Sequence, residues 1–163
     1  MNEIKTGGAP QRRAASEADE PWLRGLFAQL RGLQPELLAA CPELLEQQWQ
    51  LQRRVFASHY PDARTEVVLI GAEPVGAFTW HEGANAIRLL DIGLEIRHQG
   101  RGLGEWLLRE LICHADLQGK ALELAVMRHN PALSLYQRLG FREQPGGDDE
   151  VQVQMRREPL QAA

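Results

Sequence analysis

The sequence predicts an α+β (α/β) fold: a mixed, mostly antiparallel sheet of six to seven strands, with a central parallel strand pair and about four flanking helices. Three observations carry this. Apolar residues alternate at period two through Thr65 to Ile70, Val75 to Trp80 and Leu90 to Arg97, with only short turns between, which is the pattern of an antiparallel meander. The third run leads into an amphipathic helical segment, Leu103 to Gln118, and then into another alternating run, Leu122 to Val126. Strand, helix, strand in that order makes a parallel pair with a right-handed crossover. Helix-period segments bounded by Pro and Gly fill Ser16 to Ser58 and the stretch after Asn130.

Taken in order, Gln11 to Ala15 reads as a short first strand. Ser16 or Asp19 then caps a helix whose Leu23, Leu26, Phe27 and Leu30 recur at helical spacing, with Pro21 near its start. Pro35 and Pro42 each open a P-E-L-L phrase at a first helical position. The second begins a longer helix, roughly Glu43 to Ser58, and its Trp49 reads as a core residue. Gly71 to Pro74 joins two strands into a hairpin. Leu103, Leu107, Leu111 and Ala115 form one helical stripe, and Gly119 stops it. Asn130 suits a helix cap, Pro131 a first helical position and Gly140 a helix end. Phe141 to Gln144 resumes as strand, Pro145 to Glu150 is an acidic turn, and Val151, Val153 and Met155 alternate on a final strand.

A chain of 163 residues can bury a core without disulfide or metal staples. The expected layout is a disordered segment over 1–10, a single domain over 11–157 and a loose tail over 158–163. The net charge of -4 carries no basic stripe for nucleic acid. Cys41 and Cys113 are too few for a disulfide framework or a zinc site, so no metal is expected. Cys113, within a helical pattern, reads as small and buried or half-buried. No apolar run reaches membrane-spanning length, and the N-terminus lacks a signal peptide's hydrophobic region. The expectation is a cytoplasmic protein with no nucleic-acid or membrane partner.

The stretch from Ile92 to Leu108 orders these elements around a ligand. It runs from strand through a glycine-rich turn, Gly100, Gly102 and Gly104, into a helix. Glycine lets backbone approach a ligand closely, and the first N–H groups of a helix lack intrahelical partners at the positive end of its dipole. A phosphate is the natural guest. No G-K-[ST] ending follows, which argues against a nucleoside-triphosphate P-loop and leaves nucleotide binding at this turn as the weaker reading. The only acid from Leu122 to Val126 is Glu123, where a dinucleotide site wants one at a strand end.

Gln99-x-x-Gly102-x-Gly104, behind the Leu94-Glu95-Ile96 strand end, resembles the acyl-CoA pyrophosphate motif of the GCN5-related N-acetyltransferase (GNAT) superfamily. The segment N-P-A-x-x-L-Y-x-x-L-G-F, from Asn130 to Phe141, is similar to that family's downstream motif. The resemblance implies a GNAT-like fold and an acetyl-CoA-dependent N-acetyltransferase acting on a primary amine of a small molecule or peptide. It implies that the backbone of Ile92, Gly93 and Leu94 holds the pantetheine arm of coenzyme A. The pyrophosphate would sit on amides from Gly100 through Arg101, Gly102, Leu103 and Gly104 to Glu105, with Gln99 and Asn130 also at the cofactor.

Tyr136 matches the family's tyrosine acid, whose phenol stays protonated at neutral pH and can donate to a departing thiolate. Many relatives place a glutamate as base where this chain has Ala125. The carboxylates left for that work are Asp91, then Glu123, then Glu95. A second reading keeps the pocket without turnover, as a CoA-binding regulatory module. An exposed final hairpin would offer an edge for pairing two copies of the chain as a homodimer.

Overall fold

The computed structural model describes residues 8–145 and 151–161. Residues 1–7 of the expected disordered start, 146–150 of the acidic turn and 162–163 of the tail lie outside the described residues. Seven strands form one sheet: β1 (Pro10–Ala14), β2 (Arg64–Ile70), β3 (Glu73–Glu82), β4 (Ala86–Leu94), β5 (Ala121–Met127), β6 (Arg142–Glu143) and β7 (Gln152–Arg157). Their order is β1-β2-β3-β4-β5-β7-β6. The expected parallel pair is β4 with β5, in register from Ala86 against Ala121 to Leu89 against Leu124. β1 with β2, β5 with β7, and β6 with β7 are antiparallel.

Among the described residues the α-helices are α1 (Glu20–Leu30), α2 (Pro35–Ala40), α3 (Pro42–His59), α4 (Leu103–Leu117) and α5 (Ala132–Arg138). The expectation of about four is exceeded by the six-residue α2, which the first P-E-L-L phrase opens. No helix is long and apolar enough to cross a membrane, among the described residues. The fold divides into two compact units, one of Met1–Thr79 with Asp91–Gly104, the other of Trp80–Leu90 with Glu105–Ala163.

In the first unit both cap candidates are used. Asp19 accepts the Ser16 amide at 2.7 Å and both guanidinium nitrogens of Arg13 at 2.7 and 2.8 Å, which closes a 3-10 turn at Glu17–Asp19 ahead of α1. Leu23 and Phe27 of α1 pack on Trp49 of α3, whose ring meets Phe27 edge-on at 5.3 Å. β4 stops at Leu94, three residues before the expected end at Arg97. Ile96 continues the alternation of Leu94, but its backbone has turned into a 3-10 segment, Ile96–His98. There Gln29 Oε1 accepts the Ile96 amide at 3.0 Å and Glu95 accepts that of His98 at 2.8 Å.

Along α4, Leu103, Leu107, Leu111 and Ala115 are 1% exposed or less, each leucine contributing about 1.5–3 kcal/mol of burial. Cys113 is exposed, contrary to expectation. It lies two residues, about 200° of helix, beyond Leu111 and so on the opposite face. The edge strands of the sheet are β1 and the two-residue β6. β7 is flanked by β5 and β6, so the edge that the final hairpin offers for the expected pairing between subunits is that of β6.

Candidate active site

The glycine-rich turn is set by torsion rather than crowding. Gly100 and Gly102 have φ of 73° and 86°, and a Cβ at either would meet nothing within 4 Å. Gly104 has an ordinary torsion and would bring a Cβ only to van der Waals distance of Leu94, so it contributes its amide. The amides of Gly100, Arg101 and Gly102 donate to no backbone carbonyl among the described residues, and those of Leu103, Gly104 and Glu105 open α4, where helical partners are lacking. The result is a run of unspent donors at the N-terminus of a 15-residue helix, which suits a diphosphate.

The side chains around this turn divide into those already committed and those free. Gln99 Nε2 donates to the Leu94 carbonyl at 3.0 Å, tying the turn to the end of β4 instead of reaching for a ligand. Leu103 is buried, so only its amide is available. The Glu105 carboxylate accepts Arg109 at 3.0 Å. Arg97 is paired with Glu73 and, at 2.7 Å, with Glu95. His98 is buried with neither ring nitrogen hydrogen-bonded to a described residue. Arg101 is exposed and forms no ion pair among the described residues, so its charge is available to an anion.

Ile92, Gly93 and Leu94 are half-buried on β4. The room that Gly93 leaves is taken by the Leu30 side chain, whose Cδ1 would lie 2.3 Å from an added Cβ. Gly76 on β3 is a position that sequence reading missed. A Cβ there would come within 2.8 Å of the Gly93 carbonyl oxygen and 2.5 Å of Leu94 Cδ2. Its missing side chain therefore fixes the path of the strand segment expected to hold the pantetheine arm.

Sequence reading also missed a cavity of about 300 Å³ bounded by α1, α3 and the strands. Most of its lining residues are apolar, with Leu23, Phe27, Trp49, Phe56 and Phe78 prominent, and Gln52, Tyr60, Thr65 and Thr79 stand among them. Thr65 and Thr79 spend their hydroxyls on each other at 2.9 Å. Asp91 is the one acidic residue on the lining, joined by Arg31 and Arg53. Asp91 is open to solvent through the cavity but has protein on most sides. That desolvation pushes its pKa up, against a smaller opposing pull from the Arg31 charge and the Ile92 amide.

The other expected acids and bases are placed differently. Glu123 is ion-paired with Arg156 and, at 3.5 Å, with Arg88, its cross-strand neighbours on β7 and β4. That structural employment argues against a role as base. Glu95 accepts Trp22 Nε1 at 3.2 Å besides pairing with Arg97. Asn130 Oδ1 accepts the Ala132 amide at 2.9 Å and so starts α5, leaving only its NH₂ for a ligand. The Tyr136 ring is buried edge-on to Phe141 at 5.7 Å. Burial pushes its phenol pKa up, and its hydroxyl makes no hydrogen bond to a described residue.

The fold recurs in solved acetyltransferases. PaiA N-acetyltransferase from Thermoplasma acidophilum, in complex with coenzyme A, aligns with TM-score 0.66 at 19% identity over 92% of this chain and 99% of its own. The ribosomal-protein-S18-alanine N-acetyltransferase of Escherichia coli aligns with TM-score 0.66 at 20% identity over 95% and 97%. A spermidine N-acetyltransferase chimera involving Vibrio cholerae aligns with TM-score 0.64 at 20% identity over 91% and 95%. No curated protein matches the sequence. Acetyl-CoA is the acyl donor of the GNAT family. The acetyltransferase (GNAT) domain matches residues 61–143, just over half of the chain, and the chain belongs to that family.

Proposed function

We propose that this protein is an acetyl-CoA-dependent N-acetyltransferase that passes an acetyl group directly to a primary amine. The observation that carries the proposal is the run of unspent amides at Gly100, Arg101 and Gly102 ahead of α4. Those amides, continued through Leu103, Gly104 and Glu105, hold the pyrophosphate, with Arg101 adding countercharge. The backbone of Ile92, Gly93 and Leu94 holds the pantetheine arm, and the Asn130 NH₂ lies at the cofactor. Acetyl-CoA supplies an acyl group activated as a thioester.

Asp91 accepts a proton from the incoming ammonium, and its raised pKa makes it a better acceptor than an ordinary carboxylate. Tyr136 donates to the departing thiolate. Its upward pKa shift keeps the phenol protonated, and its hydroxyl has no hydrogen bond to a described residue to give up. Two protons leave the acceptor nitrogen. One passes through Asp91 to solvent, and the other replaces the proton that Tyr136 gives up.

The test is thiol release when the protein meets acetyl-CoA and a varied panel of primary amines. Amine-dependent release is expected. Saturable binding of acetyl-CoA with no release for any amine would favour the non-catalytic module. Ala125 at the usual glutamate position, together with the commitment of Glu123 to two arginines, is what keeps that reading in play.

A further inference from the structure

We infer that the acceptor is a primary amine that also carries a carboxylate on a compact apolar body, about the size of one amino acid, with Arg31 and Arg53 holding the carboxylate and Asp91 the ammonium. The inference rests on the acetyltransferase reading above and specifies its substrate.

Three arginines touch the aromatic pair at the cavity wall, and they are not alike. Arg24 lies 5.8 Å from the Trp49 ring, with its N–H groups spent on Glu20, at 3.0 Å, and on Glu46. Arg31 stacks 3.7 Å from the centroid of Phe27, and Arg53 stacks 4.5 Å from that of Trp49. Stacking uses the face of a guanidinium and leaves its in-plane donors pointing outward. Neither Arg31 nor Arg53 has an ion pair among the described residues. The cavity is thus bordered by two oriented cations with unspent donors, the arrangement that grips a carboxylate through paired N–H bonds.

The opposite charge is supplied by Asp91, the acid on the lining, and Arg31 is close enough to act on its ionisation. A ligand bearing both an ammonium and a carboxylate matches this pairing. A polyamine does not, because a second cationic group would meet Arg31 or Arg53. The remaining wall is apolar apart from Gln52, Tyr60, Thr65 and Thr79, and about 300 Å³ holds roughly ten water volumes. That capacity suits an amino acid with an apolar side chain and is too small for a folded partner's surface.

The experiment compares L-phenylalanine, L-phenylalaninamide, phenethylamine and spermidine, by calorimetry in saturating CoA and by thiol release from acetyl-CoA. L-Phenylalanine should bind at least about tenfold tighter than its amide, the size of one charge-assisted hydrogen bond, and kcat/KM should follow. Arg31→Gln and Arg53→Gln should each shrink that ratio towards one while CoA affinity stays unchanged, and Arg31→Lys should recover part of it. Equal or better binding and turnover of the amide, of phenethylamine or of spermidine, with CoA still bound, would overturn this inference alone. Failure of wild-type protein to bind acetyl-CoA would overturn the acetyltransferase reading and this inference with it.

Discussion

Replacing Gly102 by alanine separates backbone strain from ligand contact. With φ of 86° and nothing within 4 Å of the added Cβ, the folded-state penalty is torsional only, about 1–2 kcal/mol for a side-chain-bearing residue in left-handed backbone. At this chain length that corresponds to a Tm lowered by roughly 2–8 °C. Gly71 in the β2–β3 turn is the matched control, since its φ is 61° and its Cβ would also meet nothing. Gly71→Ala should lose comparable stability and keep wild-type CoA affinity. Gly102→Ala should also weaken CoA by about 10- to 150-fold, because its Cβ enters the space of the diphosphate and displaces one charge-assisted hydrogen bond of about 1.5–3 kcal/mol. Scanning calorimetry gives the first quantity and titration calorimetry the second. If Gly102→Ala binds CoA as tightly as Gly71→Ala does, the turn is a strained corner and no phosphate cradle.

Three further outcomes are expected. Tyr136→Phe should lower kcat about 100-fold, within the range of a lost general acid, while changing stability by less than about 1 kcal/mol because the hydroxyl has no partner among the described residues to lose; unchanged turnover removes it from the mechanism. Asp91→Asn should abolish the acid limb of the pH–rate profile, a limb that in the wild type lies above the ordinary carboxylate range. Because the native pKa is raised, the folded state holds more proton than the unfolded one just above the ordinary value, so stability falls as pH rises through that window. Asp91→Asn should therefore be slightly more thermostable than wild type at neutral pH, and a lower Tm would contradict the desolvation argument. Gly76→Ala should cost about 1–3 kcal/mol by overpacking, since the rigid Gly93 carbonyl stands 2.8 Å from the new carbon, and should weaken CoA; full stability and affinity would show that the strand gives way freely.

Period-two and helical patterns made most of the fold legible in the sequence. The α4 stripe from Leu103 to Ala115 is buried as its spacing requires, and the crossover to β5 gives the parallel pair. Alternation alone could not reveal where β4 ends, because Ile96 stays in phase with Leu94 while Gln29, 67 residues away, captures its amide. The glycine turn was legible because left-handed torsions leave a direct mark on residue choice. The cavity was not, since Arg31, Arg53 and Asp91 come from three segments with no shared motif. The fate of the carboxylates was hidden for the same reason. Glu123 and Asp91 look alike on adjoining strands, and only pairing with Arg88 and Arg156 separates an employed carboxylate from an available one.

The most direct measurement of the central claim is an amide NMR titration of the ¹⁵N-labelled protein with CoA. Saturable shifts at Arg101, Gly102 and Gly104, with Gly71 and Gly119 unmoved, are the expected result. Saturable binding that leaves Arg101, Gly102 and Gly104 unshifted would contradict the account, as would no binding at all.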